Sequence, residues 1–358
     1  MDLATEQNIA KEQPGSTTAL THSSESCFKT CPRKYFLQYV QMLRPSHDSN
    51  ALRIGSAFHL GLETAKSGGS EDESANAVYT AYLSQPCPPW LTLEEYDVEI
   101  ETAAAMVRGW CRRWKDDQIV NYIAVEQCFD LPITNPTTGR ETPNFRNRGK
   151  IDGICKLPDG RLAIIEHKTT SDDLDQNGDY WKRLLMDSQI SRYLMAARQL
   201  GFDVQTTVYD VTRKCLIRPK AISKLDRARA TADRHYFGFP IKGICPEQES
   251  AKLFAARLLN DMASRPDWYF ARAEVPRLES DLAEFQAEEW TVKSQIRECE
   301  LNQKRWGAAA WPRNTGACTS PYRCVYLDVC RGLCGDPTEQ VPAGFKRVRE
   351  PHTELTPA

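Results

Sequence analysis

The chain has 358 residues, enough to bury a sizeable core as one elaborated domain or two. With 41% hydrophobic residues, 26% charged residues and a formal net charge of −2, it has the profile of an ordinary globular protein, and any basic surface for a polyanion must be local. No apolar run approaches the roughly 18–20 residues that span a bilayer, so no membrane partner is expected.

The first residues, MDLATEQNIAKEQPGSTTAL, lack the basic-then-apolar layout of a secretory signal, and residues 1–22 read as a disordered or loosely attached leader. Ser23-Ser24-Glu25-Ser26 predicts a helix start, with hydroxyls able to cap it, followed by Phe28, Tyr35, Phe36 and Tyr39 at helical spacing. LRPSHDSN makes a loop, and ALRIGSAFHLGLETAK resumes a helix through His59. Residues 72–84 and 92–118 read as helices separated by the proline-rich SQPCPPW, giving a helical insert at about 60–118.

At Ile119 the pattern changes. VNYIAVEQCFDLPI, RGKIDGICKLPDGRLAIIEHKTT and VQTTVYDVT are rich in β-branched residues and predict strands, with Pro158-Asp159-Gly160 as a turn inside the second. A helix from about Trp181 to Leu200 separates the second and third strand regions. After Lys220 the chain is mainly helical, with WYFARAEV as an extra strand and a cysteine-bearing region at about 221–334. The polar, proline-bearing segment from Gly335 is expected to be a flexible tail. The expected organisation is a single domain over 23–334.

The stretch IIEHKTT ends a strand on Glu166, His167 and Lys168, although charged groups are seldom buried unless they are paired or hold a metal. Alternation places Glu166 and Lys168 on one face and His167 on the other. If the PDG turn joins two strands as a hairpin, pairing Leu157 with Arg161 sets Cys155 opposite Ala163 and Asp152 opposite Glu166. Two acids can hold a hard divalent cation through oxygen ligands, and a nearby lysine can orient or deprotonate water or stabilise charge on phosphorus. The plainer reading is an exposed hairpin carrying a Glu–Lys pair, which is worth little. GSAFH places His59 one turn after small residues, and Gln189 and Tyr193, four apart, share a helix face from which they can reach a phosphate or a base.

The ordered set CPRKYFLQYV, GSAFH, GKIDG, IIEHKTT and QISRY, spanning about Ser23 to Cys330, resembles the RecB-like branch of the PD-(D/E)XK nuclease superfamily. It is similar in particular to the iron–sulfur exonucleases of the AddB and CRISPR-adaptation types. The resemblance implies an α/β fold, a central mixed sheet flanked by helices with helical elaborations at both ends. It also implies magnesium or manganese held by His59, Asp152, Glu166 and the His167 carbonyl, with Asp152, Glu166 and Lys168 catalytic and Gln189 and Tyr193 beside the DNA. Ile151 stands where the family's motif has proline, which removes no ligand.

Thirteen cysteines in a chain without an export signal fit a reducing, intracellular setting. Cys87, Cys111, Cys128, Cys155, Cys215, Cys245 and Cys299 are scattered and read as small core hydrophobes. The run Cys318-TSPYR-Cys324-VYLDV-Cys330-RGL-Cys334 is far denser, as zinc or iron–sulfur sites are. In the resembling nucleases one early cysteine joins three late ones around a [4Fe–4S] cluster, which here maps onto Cys31, Cys318, Cys324 and Cys330. Zinc at the same sulfurs and ordinary core thiols are the rival readings, and Cys27 and Cys334 are spare thiols.

Arg33, Lys34, Arg146, Arg148, Lys150 and Arg192 fit a local nucleic-acid track, although such runs are usually solvated faces. Trp181, Trp306 and Trp311 read as packing residues rather than base-stacking ones. The expected function is a metal-dependent deoxyribonuclease, an exonuclease of recombination or repair. The alternative is a non-catalytic DNA-binding subunit of the same fold. G-x-x-x-x-G-K-[ST] is absent, so ATP-driven unwinding would come from a helicase or recombination partner.

Overall fold

The computed structural model describes residues 17–116, 121–175, 177–334, 336–352 and 355. The chain enters as a strand, Thr18–Leu20 (β1), and turns directly into helix His22–Thr30 (α1). The α1 cap is Thr21, ahead of the serines expected to supply it. Its hydroxyl accepts the Ser24 N–H at 3.2 Å and its own N–H donates to Ser24 Oγ at 2.9 Å, a reciprocal capping box. Residues 17–22 are therefore ordered, which corrects that part of the expected leader; residues 1–16 lie outside the described residues. Pro32–Tyr35 (α2), a π-helical turn at Phe36–Val40 and strand Leu43–Pro45 (β2) follow.

The helical insert forms as Asn50–Lys66 (α3), Glu71–Leu83 (α4) and Leu93–Arg113 (α5). Ser49, Ser70 and Thr92 cap them, and Glu73 and Glu95 complete capping boxes on the last two. The apolar stripes meet at Phe58, Leu62, Val78, Met106 and Val107, all essentially buried. A β-carbon at Gly61 would come within 2.6 Å of Val107 Cγ2, so glycine is what lets α3 and α5 approach.

The sheet region begins with Asn121–Thr134 (β3), Glu141–Lys156 (β4) and Leu162–Thr170 (β5). The PDG turn forms as expected: the Leu157 N–H donates to Arg161 O at 2.9 Å, Gly160 takes a φ of +91°, and Cys155 pairs with Ala163. The single helix expected over 181–200 is two, Asp179–Leu185 (α6) and Ser188–Gln199 (α7). The break exists because extended Asp187 caps α7, its carboxylate accepting the Gln189 N–H at 2.9 Å. Then come Val204–Arg213 (β6), Lys224–Asp233 (α8), the two-residue strands His235–Tyr236 (β7) and Phe239–Pro240 (β8), Ala251–Ser264 (α9), Pro266–Tyr269 (α10) and Phe270–Val275 (β9).

Six strands form one mixed sheet in the order β1-β4-β5-β6-β9, with β3 on the other edge of β4. β1 runs parallel to β4 and β5 parallel to β6, while the β3–β4, β4–β5 and β6–β9 pairs are antiparallel. On one face Ile154 and Ile164 pack under Tyr193, Leu194 and Ala197 of α7. On the other, Ala163, Ile165 and Tyr122 form a second layer, and Trp110 of α5 lies edge-on to His167. The expected α/β architecture, a mixed sheet flanked by helices, is what forms.

Helix Glu279–Trp306 (α11) leads to the cysteine-rich end, with Leu327–Cys330 (α12). Trp311 is buried among Phe28, Tyr35 and Phe36, so the late chain packs on the early helices. Trp181 is buried too, whereas Trp306 is half exposed. The expected flexible tail is corrected over its described residues: Phe345–Arg347 (β10) pairs with β2, and His352 is buried against Tyr39.

Candidate active site

Strand β4 positions the site. β3 covers one of its edges along almost its whole length, while the other is shared by β1 at Phe145–Asn147 and β5 at Gly153–Lys156. Arg148–Asp152 falls between those two partners, where the sheet splits and side chains can converge. The β4–β5 register ends at Gly153–Ile165, so Asp152 and Glu166 are the next facing positions, as expected. Gly153 is required there, since a β-carbon would lie 2.8 Å from Ile165 Cγ2 and 2.9 Å from Tyr122 Cε1.

Four of the anticipated residues are joined by hydrogen bonds. Glu166 Oε1 accepts Lys168 Nζ at 2.9 Å and Gln189 Nε2 at 2.8 Å. Gln189 Oε1 accepts the same ammonium, and its amide nitrogen lies 3.0 Å from the Tyr193 hydroxyl. Asp152 Oδ2 accepts the main-chain N–H of His167 at 3.0 Å and faces His59 Nδ1 at 3.7 Å. Glu166 Oε2 is buried with no hydrogen-bond partner.

Burial pushes the Glu166 carboxyl up to about 8, the Asp152 charge adds to this, and Lys168 opposes it. Burial alone would lower Lys168, but Glu166, Asp187 and Asp152 outweigh it and hold the ammonium above its ordinary value. The surrounding protein lowers His59 despite the Asp152 charge. The Glu166 shift has a sign that can be checked. Between the ordinary value of 4.5 and about 8 the folded chain holds a proton that the unfolded chain has lost, so stability falls as pH rises through that interval. In buffer containing chelator, the melting temperature of the wild type should drop across this window relative to Glu166→Gln, as thermal unfolding of both proteins will read.

The other anticipated residues have partners within the protein. Tyr193 is buried edge-on to Phe129, with its hydroxyl against the Gln189 amide. Arg148 pairs with Asp130 at 2.8 Å and Lys150 with Glu126 at 2.6 Å, so both cations are engaged within the protein. Arg146 likewise pairs with Asp130, and Arg33 donates to the Trp311 carbonyl at 3.0 Å. Arg192 is fully buried between Glu25 and Glu289, a structural ion cluster and not part of a surface track.

Sequence reasoning missed Lys66, Glu126 and Asp210. Lys66, its side chain 0% exposed, donates to the Asp152 carbonyl at 2.8 Å and to Glu126 at 2.9 Å. It stands seven residues after His59, two turns along the same face of α3, a spacing that could have found it. Asp210 had no local signal, since a lone aspartate in VQTTVYDVT looks like a polar strand residue.

Among the described residues, no group of three or more His, Cys, Asp or Glu side chains is gathered closely enough to hold a metal ion. The donors at the sheet split nevertheless suit a hard cation. Two like-charged acids meet there, one of them with an orphaned buried oxygen and a carboxyl pushed towards the neutral form, and a cation relieves all three costs. The four anticipated cysteines share a neighbourhood without forming one ligand group. Cys31 Sγ accepts the Asn314 N–H at 3.4 Å and Cys318 Sγ lies 3.9 Å from Asn314 O. The Cys324 N–H donates to Cys318 O at 2.8 Å, and Arg313 holds the Cys330 carbonyl at 2.9 Å. Burial first, and then Cys31 and Cys318, raise the Cys324 thiol.

No helix among the described residues is long and apolar enough to cross a membrane. Comparison with curated proteins gives no match. The match to the family model of the PD-(D/E)XK nuclease superfamily covers residues 19–331, from β1 through the whole sheet to the cysteine-rich end, and the chain belongs to that superfamily.

Proposed function

We propose that this protein is a metal-dependent deoxyribonuclease, an exonuclease hydrolysing phosphodiester bonds of DNA ends or single strands in recombination or repair. Membership of a nuclease superfamily supports the reaction class. The observation that carries the reading is the meeting of Asp152, Glu166, Lys168 and Gln189 at one split in the sheet, with Glu166 Oε2 buried and unpartnered.

His59, Asp152, Glu166 and the His167 carbonyl would hold magnesium or manganese, which supplies Lewis acidity toward a phosphoryl oxygen and toward water. Lys168, held as a cation by its acidic neighbours, stabilises negative charge developing on phosphorus rather than accepting a proton. Gln189 ties Lys168 to Glu166, and Tyr193 fixes the Gln189 amide. Arg148 and Lys150, on the strand leading into Asp152, would exchange their protein carboxylates for phosphates as DNA docks.

Cys31, Cys318, Cys324 and Cys330 would hold a [4Fe–4S] cluster that fastens the late chain to the early helices, with zinc as the rival. ATP-driven unwinding would come from a helicase partner. The alternative is a DNA-binding subunit of the same fold without catalysis, whose mark would be a missing ligand, and His59, Asp152 and Glu166 are all present.

A digestion time course on end-labelled single- and double-stranded DNA with magnesium or manganese tests the proposal. Progressive loss of linear DNA with closed circles spared is expected. Cleaved circles would replace the exonuclease reading with an endonuclease one, and binding without cleavage would establish the non-catalytic subunit. Anaerobic purification should give a brown protein absorbing near about 400 nm, whereas a colourless protein with stoichiometric zinc would overturn the iron assignment alone.

A further inference from the structure

The face of the sheet opposite Glu166 and Lys168 carries a buried polar row that the reaction does not touch. His167, Asp210 and Arg272 are register partners across β5, β6 and β9, so their side chains line up on one face. The His167 ring is 1% exposed. Its Nδ1 lies 3.5 Å from Asp210 Oδ2 and its Nε2 lies 3.3 Å from the Tyr122 hydroxyl. Asp210 Oδ2 also accepts Trp110 Nε1 at 3.0 Å and Arg272 at 3.0 and 2.8 Å, so α5, β5 and β9 meet on one carboxylate. Trp110 closes the row with its ring centroid 5.8 Å from that of His167.

We propose that Asp210 is a positioning residue for the metal-binding carboxylate, acting through His167. The link is the backbone of one residue. In a strand, a residue's N–H and C=O leave on the same edge, and the His167 N–H is the donor that holds Asp152 Oδ2 at 3.0 Å. The His167 carbonyl therefore faces the Asp152 side as well. Asp210 holds Trp110 edge-on against the ring and backs Nδ1 by contact, without a hydrogen bond to it, and this packing limits the tilt of the His167 backbone and so the direction of the Asp152 carboxylate. Beyond the last β4–β5 register pair at Gly153–Ile165, that bond is the tie across the split. The β5–β6 ladder holds the opposite edge of β5, so losing the clamp shifts His167 only slightly, but Asp152 loses its aim while every proposed ligand remains in place. A group outside the ligand set then controls ion affinity through geometry.

The inference rests on the metal site proposed above, so the test reads manganese binding directly, from the electron paramagnetic resonance signal of free Mn²⁺, alongside cleavage. Asp210→Asn and His167→Leu should each weaken Mn²⁺ binding by about 10-fold, with cleavage recovering at high Mn²⁺ and KM for DNA unchanged. The double variant should be no weaker than either single one, because both act through one path. Singles that bind Mn²⁺ as the wild type does, or losses that multiply in the double variant, would overturn the proposal. If Asp210→Asn does not fold, His167→Leu decides alone by the same affinity criterion. A wild type that neither binds Mn²⁺ nor cleaves DNA would instead remove the metal site itself, a separate result.

Discussion

Glu166→Gln and Lys168→Met should each lower metal-activated DNA cleavage by about 10²–10³-fold while leaving DNA binding nearly intact. The two losses have different origins. Glutamine keeps the shape of Glu166 and can still meet Lys168 and Gln189, but it removes the charge that a cation needs, so Mn²⁺ affinity should fall together with the rate. Methionine at 168 removes the ammonium bonded to both Glu166 and Gln189 yet leaves the acids in place, so Mn²⁺ affinity should hold or rise while the rate falls. Single-turnover cleavage at saturating Mn²⁺, beside ion binding, separates the two cases. Equal rates in wild type and both variants would mean that another nuclease had copurified and that these residues do no chemistry.

Much of this site was legible because hairpin geometry is local. Proline, aspartate and glycine at 158–160 specify a turn, the turn sets the register, and the register brings Asp152 level with Glu166. Gln189 and Tyr193 were legible as a pair through helical spacing, but not as groups turned inward, because burial of α7 depends on α1 and α11 packing over it from distant sequence. The same limit hid Asp210, whose partners Trp110 and Arg272 lie far away along the chain. Arg148 and Lys150 looked like a basic track because Asp130 and Glu126 come from the neighbouring strand β3, and only the β3–β4 register shows the charges cancelling. The early end misled for a similar reason: Thr18–Leu20 has little intrinsic drive to form a strand, and it becomes one by adding to β4.

Arg192 carries the second large effect, on stability. Its side chain is 0% exposed, with Glu25 on one side and Glu289 at 2.8 Å on the other. It also donates to Asn147 Oδ1 and, at 3.2 Å, to the Leu20 carbonyl, and its guanidinium lies over the Phe285 ring. One side chain on α7 thus gathers β1, α1, β4 and α11. Arg192→Met should destabilise the fold by about 3–5 kcal/mol, because Glu289 is left buried without its cation beside Glu25, which keeps only the partly exposed Lys29 at 2.8 Å. Lysine should recover only part of this, since a point charge cannot serve the same fork of acceptors. Burial already holds Glu289 above its ordinary value, with Arg192 opposing, so removing the guanidinium raises it further. The folded variant then binds protons that the unfolded chain does not, and its deficit should shrink as pH falls towards the ordinary carboxylate range. The triple change Arg192→Met, Glu25→Gln, Glu289→Gln should restore much of the loss at neutral pH by removing the stranded charges. Urea titrations of all four proteins measure it, and an Arg192→Met protein as stable as the wild type would mean the cluster contributes nothing to holding α7, and with it Gln189, against the sheet.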